Sequence, residues 1–263
     1  MHYKDAREIE LMRQAGALVA EVLDEVCGQV APGVTTGELN ATAERMIASA
    51  GAEALFKGVV NRAATRPFPA ALCISVNDEV VHGIPGDRVL QTGDAVSIDC
   101  GVRMAGYCGD AARTVPVGVV APEVTRLLQV TEEALQLAIA EVAPGRMWSE
   151  VAARIQQHVE SAGMAVIRDF VGHGIGQEMH EEPKVPNYSD GTNRRGDFRL
   201  EPGLTLAIEP MVALGDAAVR YADADAWVIV TRDGSFAAHF EHTVAVRKGG
   251  AEVLTVARSA ALN

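Results

Sequence analysis

Apolar residues recur every three or four positions at Ile9, Met12, Ala15, Val19, Val22 and Val26, which predicts an amphipathic helix over about residues 7–28. Pro32-Gly33 stops it. Thr35 followed by Glu38 forms a capping box, and Leu39, Ala43, Met46 and Ile47 give the next helix its apolar face, up to Gly51. Residues 55–72 carry prolines and no period, so they read as irregular. Short strands follow at Cys73 to Val76 and from Val80 towards Pro85. The run Val96-Ser97-Ile98-Asp99 reads as a buried strand delivering an acid at its end. A glycine-rich turn from Gly101 to Gly109 comes next, then a short strand opening on Asp110.

The pattern then repeats. Ala31-Pro32-Gly33 with Glu38-Leu39 recurs as Ala143-Pro144-Gly145 with Glu150-Val151, and Ser49-Ala50-Gly51 as Ser161-Ala162-Gly163, both 112 residues later. His82-Gly83-Ile84 returns as His173-Gly174-Ile175. Leu90-x-x-Gly93-x-x-Val96-x-Ile98-Asp99 returns as Leu200-x-x-Gly203-x-x-Leu206-x-Ile208-Glu209, 110 residues on. Four short matches in the same order predict two related halves, about 7–118 and 119–256, in one α+β catalytic domain spanning 1–263. Each half is a helix pair followed by strands that carry acids and histidines. The halves differ by insertions of about 20 residues on opposite sides of the His-Gly-Ile word, where loops are expected.

Composition narrows the function classes. No apolar run approaches the ~18 residues of a membrane span, and no apolar stretch after the charged N-terminus suggests a secretory signal. Cys27, Cys73, Cys100 and Cys108 form no C-x-x-C pair, so they read as reduced thiols of a cytoplasmic protein. A net charge of −12 argues against nucleic-acid binding and is compatible with a bound cation.

The repeat places Asp99 and Glu209 at equivalent strand ends, with Asp110 after the first, Glu241 opening the last long strand, and His173 and His180 in Gly172–Glu182. Taken singly these residues have ordinary readings: an acid after a strand is usually a turn or a cap. His158, among Gln156, Gln157 and Glu160, reads as a solvated helix face, and His180-Glu181-Glu182-Pro183 lacks the second histidine of a zincin helix. Together, four carboxylates in one apolar cleft must either protonate or meet cations. Four acids with one or two imidazoles form a ligand set for two divalent ions, as in hydrolytic aminopeptidases. Mn, Fe(II), Co and Zn all suit it.

Val81-His82-Gly83-Ile84-Pro85, the Asp99–Asp110 spacing, Gly172-His173-Gly174-Ile175-Gly176, His180-Glu181-Glu182-Pro183, Ile208-Glu209-Pro210-Met211 and Phe240-Glu241-His242-Thr243 together resemble type I methionine aminopeptidases, in their short bacterial form. The resemblance implies the pita-bread fold, a pseudo-twofold α+β domain with a central antiparallel sheet covered by helices. It implies two divalent metal ions on Asp99, Asp110, His173, Glu209 and Glu241, with Asp110 and Glu241 bridging. A bridging water would attack the carbonyl after the initiator methionine, with Glu209 as proton acceptor, His180 stabilising the oxyanion and His82 assisting the leaving amine. Phe68, Cys73, Met179 and Trp227 would line the methionine pocket, Met179 standing where the family usually has phenylalanine. His239 stands where it commonly has glutamine; in a strand it shares a face with Glu241 and is expected to donate a hydrogen bond near the bridging carboxylate. The loop Asn61 to Arg66 lacks the aromatics of many bacterial members. The implied partners are the N-termini of nascent peptides at the ribosome, acted on by a monomer with no membrane or nucleic-acid contact. Activity is expected to fall below about pH 6 as ligands protonate.

Two rivals remain at the level of sequence: an Xaa-Pro aminopeptidase or prolidase, which usually carries a further N-terminal domain, and a non-catalytic protein of the same fold.

Overall fold

In the computed structural model, which describes residues 1–189, 196–222 and 224–257, the apolar period becomes α1 (Ala6–Gly28), whose Ile9, Met12, Ala15, Val19, Val22 and Val26 are all buried. Asp5 and Glu8 close a capping box at its start. The Thr35–Glu38 capping box opens α2 (Thr36–Ser49) as the sequence predicts. Strands β1 (Glu53–Ala54), β2 (Leu72–Val76), β3 (Glu79–Val81), β4 (Ala95–Met104) and β5 (Tyr107–Pro116) follow. The second half supplies α3 (Pro122–Glu141), α4 (Trp148–Ser161), β6 (Ala165–Val166), β7 (Gly172–Gly174), β8 (Glu181–Val185) and β9 (Thr205–Ile208). It continues with β10 (Met211–Ala213), β11 (Val219–Tyr221), β12 (Ile229–Thr231), β13 (Ala237–His239), β14 (Glu241–Arg247) and β15 (Gly250–Val253).

One expectation is corrected. Gly101 to Gly109 is not a glycine-rich turn: β4 runs on to Met104, and a two-residue turn, Ala105-Gly106, reverses the chain into β5, so Asp99 and Asp110 both lie inside long strands. Gly101 and Gly109 are strand residues where neighbours come close. A Cβ on Gly109 would sit 2.7 Å from the Gly16 backbone of α1, and one on Gly101 2.9 Å from the Phe56 ring. Both turn residues have positive φ, 52° for Ala105 and 82° for Gly106, the pattern that favours Asn-Gly. An exposed alanine there costs about 1 kcal/mol. Ala105→Asn is therefore expected to raise the urea midpoint of unfolding, by about 1 kcal/mol in stability.

The strands form a nine-stranded sheet in the order β1-β4-β5-β14-β9-β7-β8, with β2 on β4 and β15 on β14. Its pairings are antiparallel. Val96, Ile98, Cys100 and Ala111 face α1 and α2 in one core, while Leu206, Ile208, Val244 and Val246 face α3 and α4 in a second. Residues alternating with these point to the other face of the sheet, away from the helices. The seam between the cores is β5–β14, pairing Ala112 with Glu241 and Ala111 with His242.

Repeat-equivalent backbone bonds recur across the seam. Gly33 N–H donates to Leu90 O and Gly145 N–H to Leu200 O; Thr36 N–H donates to Arg88 O and Trp148 N–H to Phe198 O. A small sheet, β11-β12-β3, ties the halves a second time by pairing Ile229 with Val81, immediately before His82. His158 differs from its expected solvated face. It is half-buried on α4, with Nε2 3.3 Å from Glu133 of α3, because the helices pack side by side there.

Candidate metal centre and substrate cleft

Register alone gathers the acids. Cys73 pairs with Asp99, Asp99 with Ala112, and Ala112 with Glu241, one row across four strands. Gly101 pairs with Asp110 in the next row on the same face. Thr243 pairs with Ala207 and Ala207 with His173, bringing the imidazole in from the far side. Antiparallel partners point to one face, so Asp99, Asp110, Glu241 and His173 converge on the face turned from the helices. Glu209 follows β9 and completes the set, its carbonyl held by Asn187 Nδ2 at 2.9 Å.

Ligand-type atoms of Asp110, His173 and Glu241 lie within 4.8 Å of one another. His173 Nε2 is 3.6 Å from Glu209 Oε1 and 3.9 Å from Asp110 Oδ2. Thr243 Oγ1 donates to Asp110 O at 2.8 Å and accepts from Asp110 N–H at 3.0 Å, which fixes that strand position. His173 Nδ1 bonds Gly174 O at 2.9 Å, so a neutral ring turns its Nε2 lone pair to the acids. Glycines flank His173 because β7 is squeezed: a Cβ on Gly172 would be 2.3 Å from Ala207 O, and one on Gly174 2.4 Å from Glu182 O.

The electrostatics are those of a site built for cations. Burial pushes the Asp99 carboxyl up to about 7, and burial followed by mutual repulsion holds Asp110, Glu209 and Glu241 well above the carboxylate range. Burial, then the nearby His180, drives the His173 imidazole down to about 4. Burial, then His82, drives His239 down to about 3. Asp99 Oδ1, Asp110 Oδ1, Glu241 Oε1 and His239 Nε2 are buried without a hydrogen-bond partner. Among the described residues, the ion-pair partners of Asp110, Glu209 and Glu241 are these two neutral imidazoles, and no Lys or Arg reaches them. Orphaned acceptors around an inward-facing imidazole nitrogen fit a divalent metal.

The centre floors a cavity of about 580 Å³. His180 stands beside it with its ring 4.4 Å from that of His173. His82, at a left-handed φ of 60°, packs edge-on to Phe170 at 5.5 Å and Trp227 at 6.3 Å. Gly83 after it admits no Cβ, which would meet Ile74 O at 2.1 Å, so the His82 backbone is pinned against β2. Phe68 meets Trp227 edge-on at 5.2 Å, and Cys73 and Met179 complete an apolar, sulfur-bearing wall. Trp227 Nε1 donates to Arg66 O and Asn61 Nδ2 to Ala226 O, fastening the Asn61–Arg66 loop over that wall.

Asp99, Asp110, His173, Glu209, Glu241, His82, His180, His239, Phe68, Cys73, Met179 and Trp227 thus border one cleft. A model of metallopeptidase family M24 matches residues 10–248. The chain belongs to this family. Within the M24 metallopeptidases, methionine aminopeptidase 1 of Bacillus subtilis is 45% identical over 252 residues, covering 96% of this chain and 98% of the relative. The crystal structure of methionine aminopeptidase from Thermotoga maritima superposes with a TM-score of 0.91 at 42% identity, over 97% of this chain and 99% of that one. The prolidase of Pyrococcus horikoshii gives 0.76 at 21% identity, over 97% of this chain and 64% of its own, a likeness of fold alone. The fold is accordingly the pita-bread fold of M24.

Within that frame several contributors had no distinctive sequence signal. Thr243 and Asn187 act through the backbone of the acids, and Phe170 walls His82. Only Phe170-Val171, an apolar pair just before Gly172-His173, hints at its place. His239 does share the face of Glu241, as its alternation predicts. Its Nε2 lies 3.8 Å from Glu241 Oε2 and 3.9 Å from Glu209 Oε2, close to both carboxylates but beyond hydrogen-bond length. His239→Leu is expected to weaken metal affinity about 10- to 100-fold, read by competition with a chelator, whereas His239→Gln keeps a donor and most of the affinity.

Proposed function

We propose that the chain removes the N-terminal methionine of proteins by metal-assisted hydrolysis. The observation that carries this reading is the floor-and-wall pairing: buried, unpartnered carboxylates and an imidazole at the base of a cavity whose side is apolar and sulfur-bearing. The M24 membership and the methionine aminopeptidase relatives support it.

Asp99, Asp110, His173, Glu209 and Glu241 would hold two divalent ions, and Mn, Fe(II), Co and Zn suit this oxygen-rich set with one nitrogen. When bound, such ions supply Lewis acidity and a water acidic enough to act near neutral pH. The protein's own groups divide the remaining work. Glu209 takes the water proton as the oxygen adds to the carbonyl carbon. His180 donates to the carbonyl oxygen as negative charge develops there. His82, kept neutral by burial and by His180, contacts the scissile nitrogen, and the C–N bond breaks as Glu209 passes the proton it took from water to that nitrogen. Phe68, Cys73, Met179 and Trp227 take up the methionine side chain, whose thioether suits a polarisable wall. The substrates in this reading are N-termini of nascent chains with a small second residue, met by a monomer in the cytoplasm. No helix among the described residues is long and apolar enough to cross a membrane.

Metal content by mass spectrometry, with release of Met from Met-Gly, Met-Leu and Ala-Pro peptides under anaerobic loading with each metal, tests the reading. Met-Gly cleaved faster than Met-Leu, with Ala-Pro untouched, is the expected result. A chain that binds no metal, or that cleaves only Ala-Pro, overturns it.

A further inference from the structure

A lysine withdrawn from water is rare unless its ammonium is paired, and the Lys4 side chain is 2% exposed. Its Nζ donates to Glu181 Oε2 at 2.6 Å and to His2 O at 3.2 Å, while its backbone N–H donates to Gly203 O at 2.7 Å. The lysine stem crosses Gly176: a Cβ there would lie 2.5 Å from both Lys4 Cε and Glu181 Oε1. Gly176 and Glu181 are the two ends of the turn that carries Met179 and His180 into the cleft. The same turn is held at Gln177, whose Nε2 donates to the Tyr107 hydroxyl at 3.1 Å. That hydroxyl donates to Glu8 Oε1 at 2.8 Å. Cys108 N–H donates to Gly176 O at 2.7 Å, and Glu181 Oε1 accepts from Glu178 N–H at 3.3 Å.

His180 has no hydrogen bond of its own to fix it among the described residues, and its ring rests edge-on against that of His173 at 4.4 Å, so where it stands along the cleft depends on the backbone of this turn. We infer that Lys4 is a positioning residue for the reaction: through its ion pair with Glu181 it sets where His180 meets the substrate carbonyl. The inference rests on the aminopeptidase reading and adds to it a residue of the N-terminal arm, remote in sequence from every motif of the site. Removing the ammonium leaves the Glu181 carboxylate, partly shielded from water, without its cation, and the turn relaxes to resolvate it. Displacing a group that acts on the transition state by about 1 Å costs up to about 100-fold in rate.

The test uses the full-length, metal-loaded protein with a Met-Gly peptide. Lys4→Met is expected to lower kcat on the order of 10- to 100-fold with KM and metal content little changed, and to have no further effect in a His180→Ala background. In the metal-free protein, the His180 ring resonances shift or broaden in Lys4→Met while those of His82 stay. A strut without this role behaves differently: the melting midpoint falls, but kcat of the folded protein does not, or falls by the same factor in both backgrounds. Either result overturns the inference. Glu181→Gln, which keeps the acceptor oxygen and removes the charge, is read in the same way should Lys4→Met not fold. An unsubstituted protein that releases no Met fails the underlying reading instead, before any variant is compared.

Discussion

Glu209→Gln is expected to lower kcat on Met-Gly peptides by about 10²- to 10⁴-fold, the usual worth of a positioned general base, with KM nearly unchanged. The carboxylate lines the floor of the cavity among the other acids, on the side facing the substrate space. It is held by Asn187 at its backbone and lies 3.6 Å from His173 Nε2 and 3.9 Å from His239 Nε2. The amide has the same shape and fills the same space, so no cavity opens and the fold is retained. It cannot accept the proton. Because Glu209 is also a proposed ligand, metal content is measured in the same sample: loss of rate at full occupancy isolates the proton transfer, and loss of one ion per chain accounts for the remainder. Activity within threefold of the parent at full occupancy assigns the base elsewhere.

Much of this site is legible in the chain because its residues are of costly types on a repeated scaffold. Asp99 and Glu209 are conspicuous because they recur 110 residues apart, and His173 because it opens a repeated His-Gly-Ile word. The helices are legible for a different reason: α1 carries a long apolar period, and α2 adds to one the capping box at Thr35, whereas the box at Asp5 emerges only in the structure. The hairpin that presents Asp99 and Asp110 is misread because glycine carries two meanings. At Gly106 it marks a turn, whereas at Gly101 and Gly109 it marks strand positions where Phe56 and α1 press in, and local sequence does not separate the two. Thr243, Asn187 and Phe170 are ordinary residue types whose roles come from register and long-range packing. Lys4 is less legible still, since its partner lies 177 residues away.

Stripping the metal should make the protein's stability fall as pH rises from about 6.5 to 8.5, and restoring the metal should flatten that dependence. The four acids have folded pKa values above their unfolded ones, Asp99 at about 7 and Asp110, Glu209 and Glu241 held well above the carboxylate range by burial and then by one another's charge, so the metal-free folded state holds protons that the unfolded chain has released. Their contribution is complete below the unfolded carboxylate range and is lost as pH rises through the folded values, at up to about 1.4 kcal/mol per pH unit for each proton in excess. The histidines act with the opposite sign. His82 and His173 at about 4 and His239 at about 3 lie below the unfolded value, so their contribution is present above about 6.5 and is lost as pH falls towards the folded values. Above about 7.5 the histidines are nearly all neutral in both states and the acids alone set the slope, whereas nearer about 6.5 the half-protonated imidazoles of the unfolded chain offset part of it. A bound cation keeps the carboxylates anionic and releases their protons, so metal affinity also rises with pH. The acid limb of activity then belongs to the carboxylates more than to His173, whose imidazole is held down at about 4. Urea midpoints of chelator-treated and metal-loaded protein at pH 6.5, 7.5 and 8.5 measure the gap. A gap that widens by about 1–3 kcal/mol across that range fits up to one excess proton at this centre, and about twice that fits two, whereas a constant gap places the ionising groups outside it.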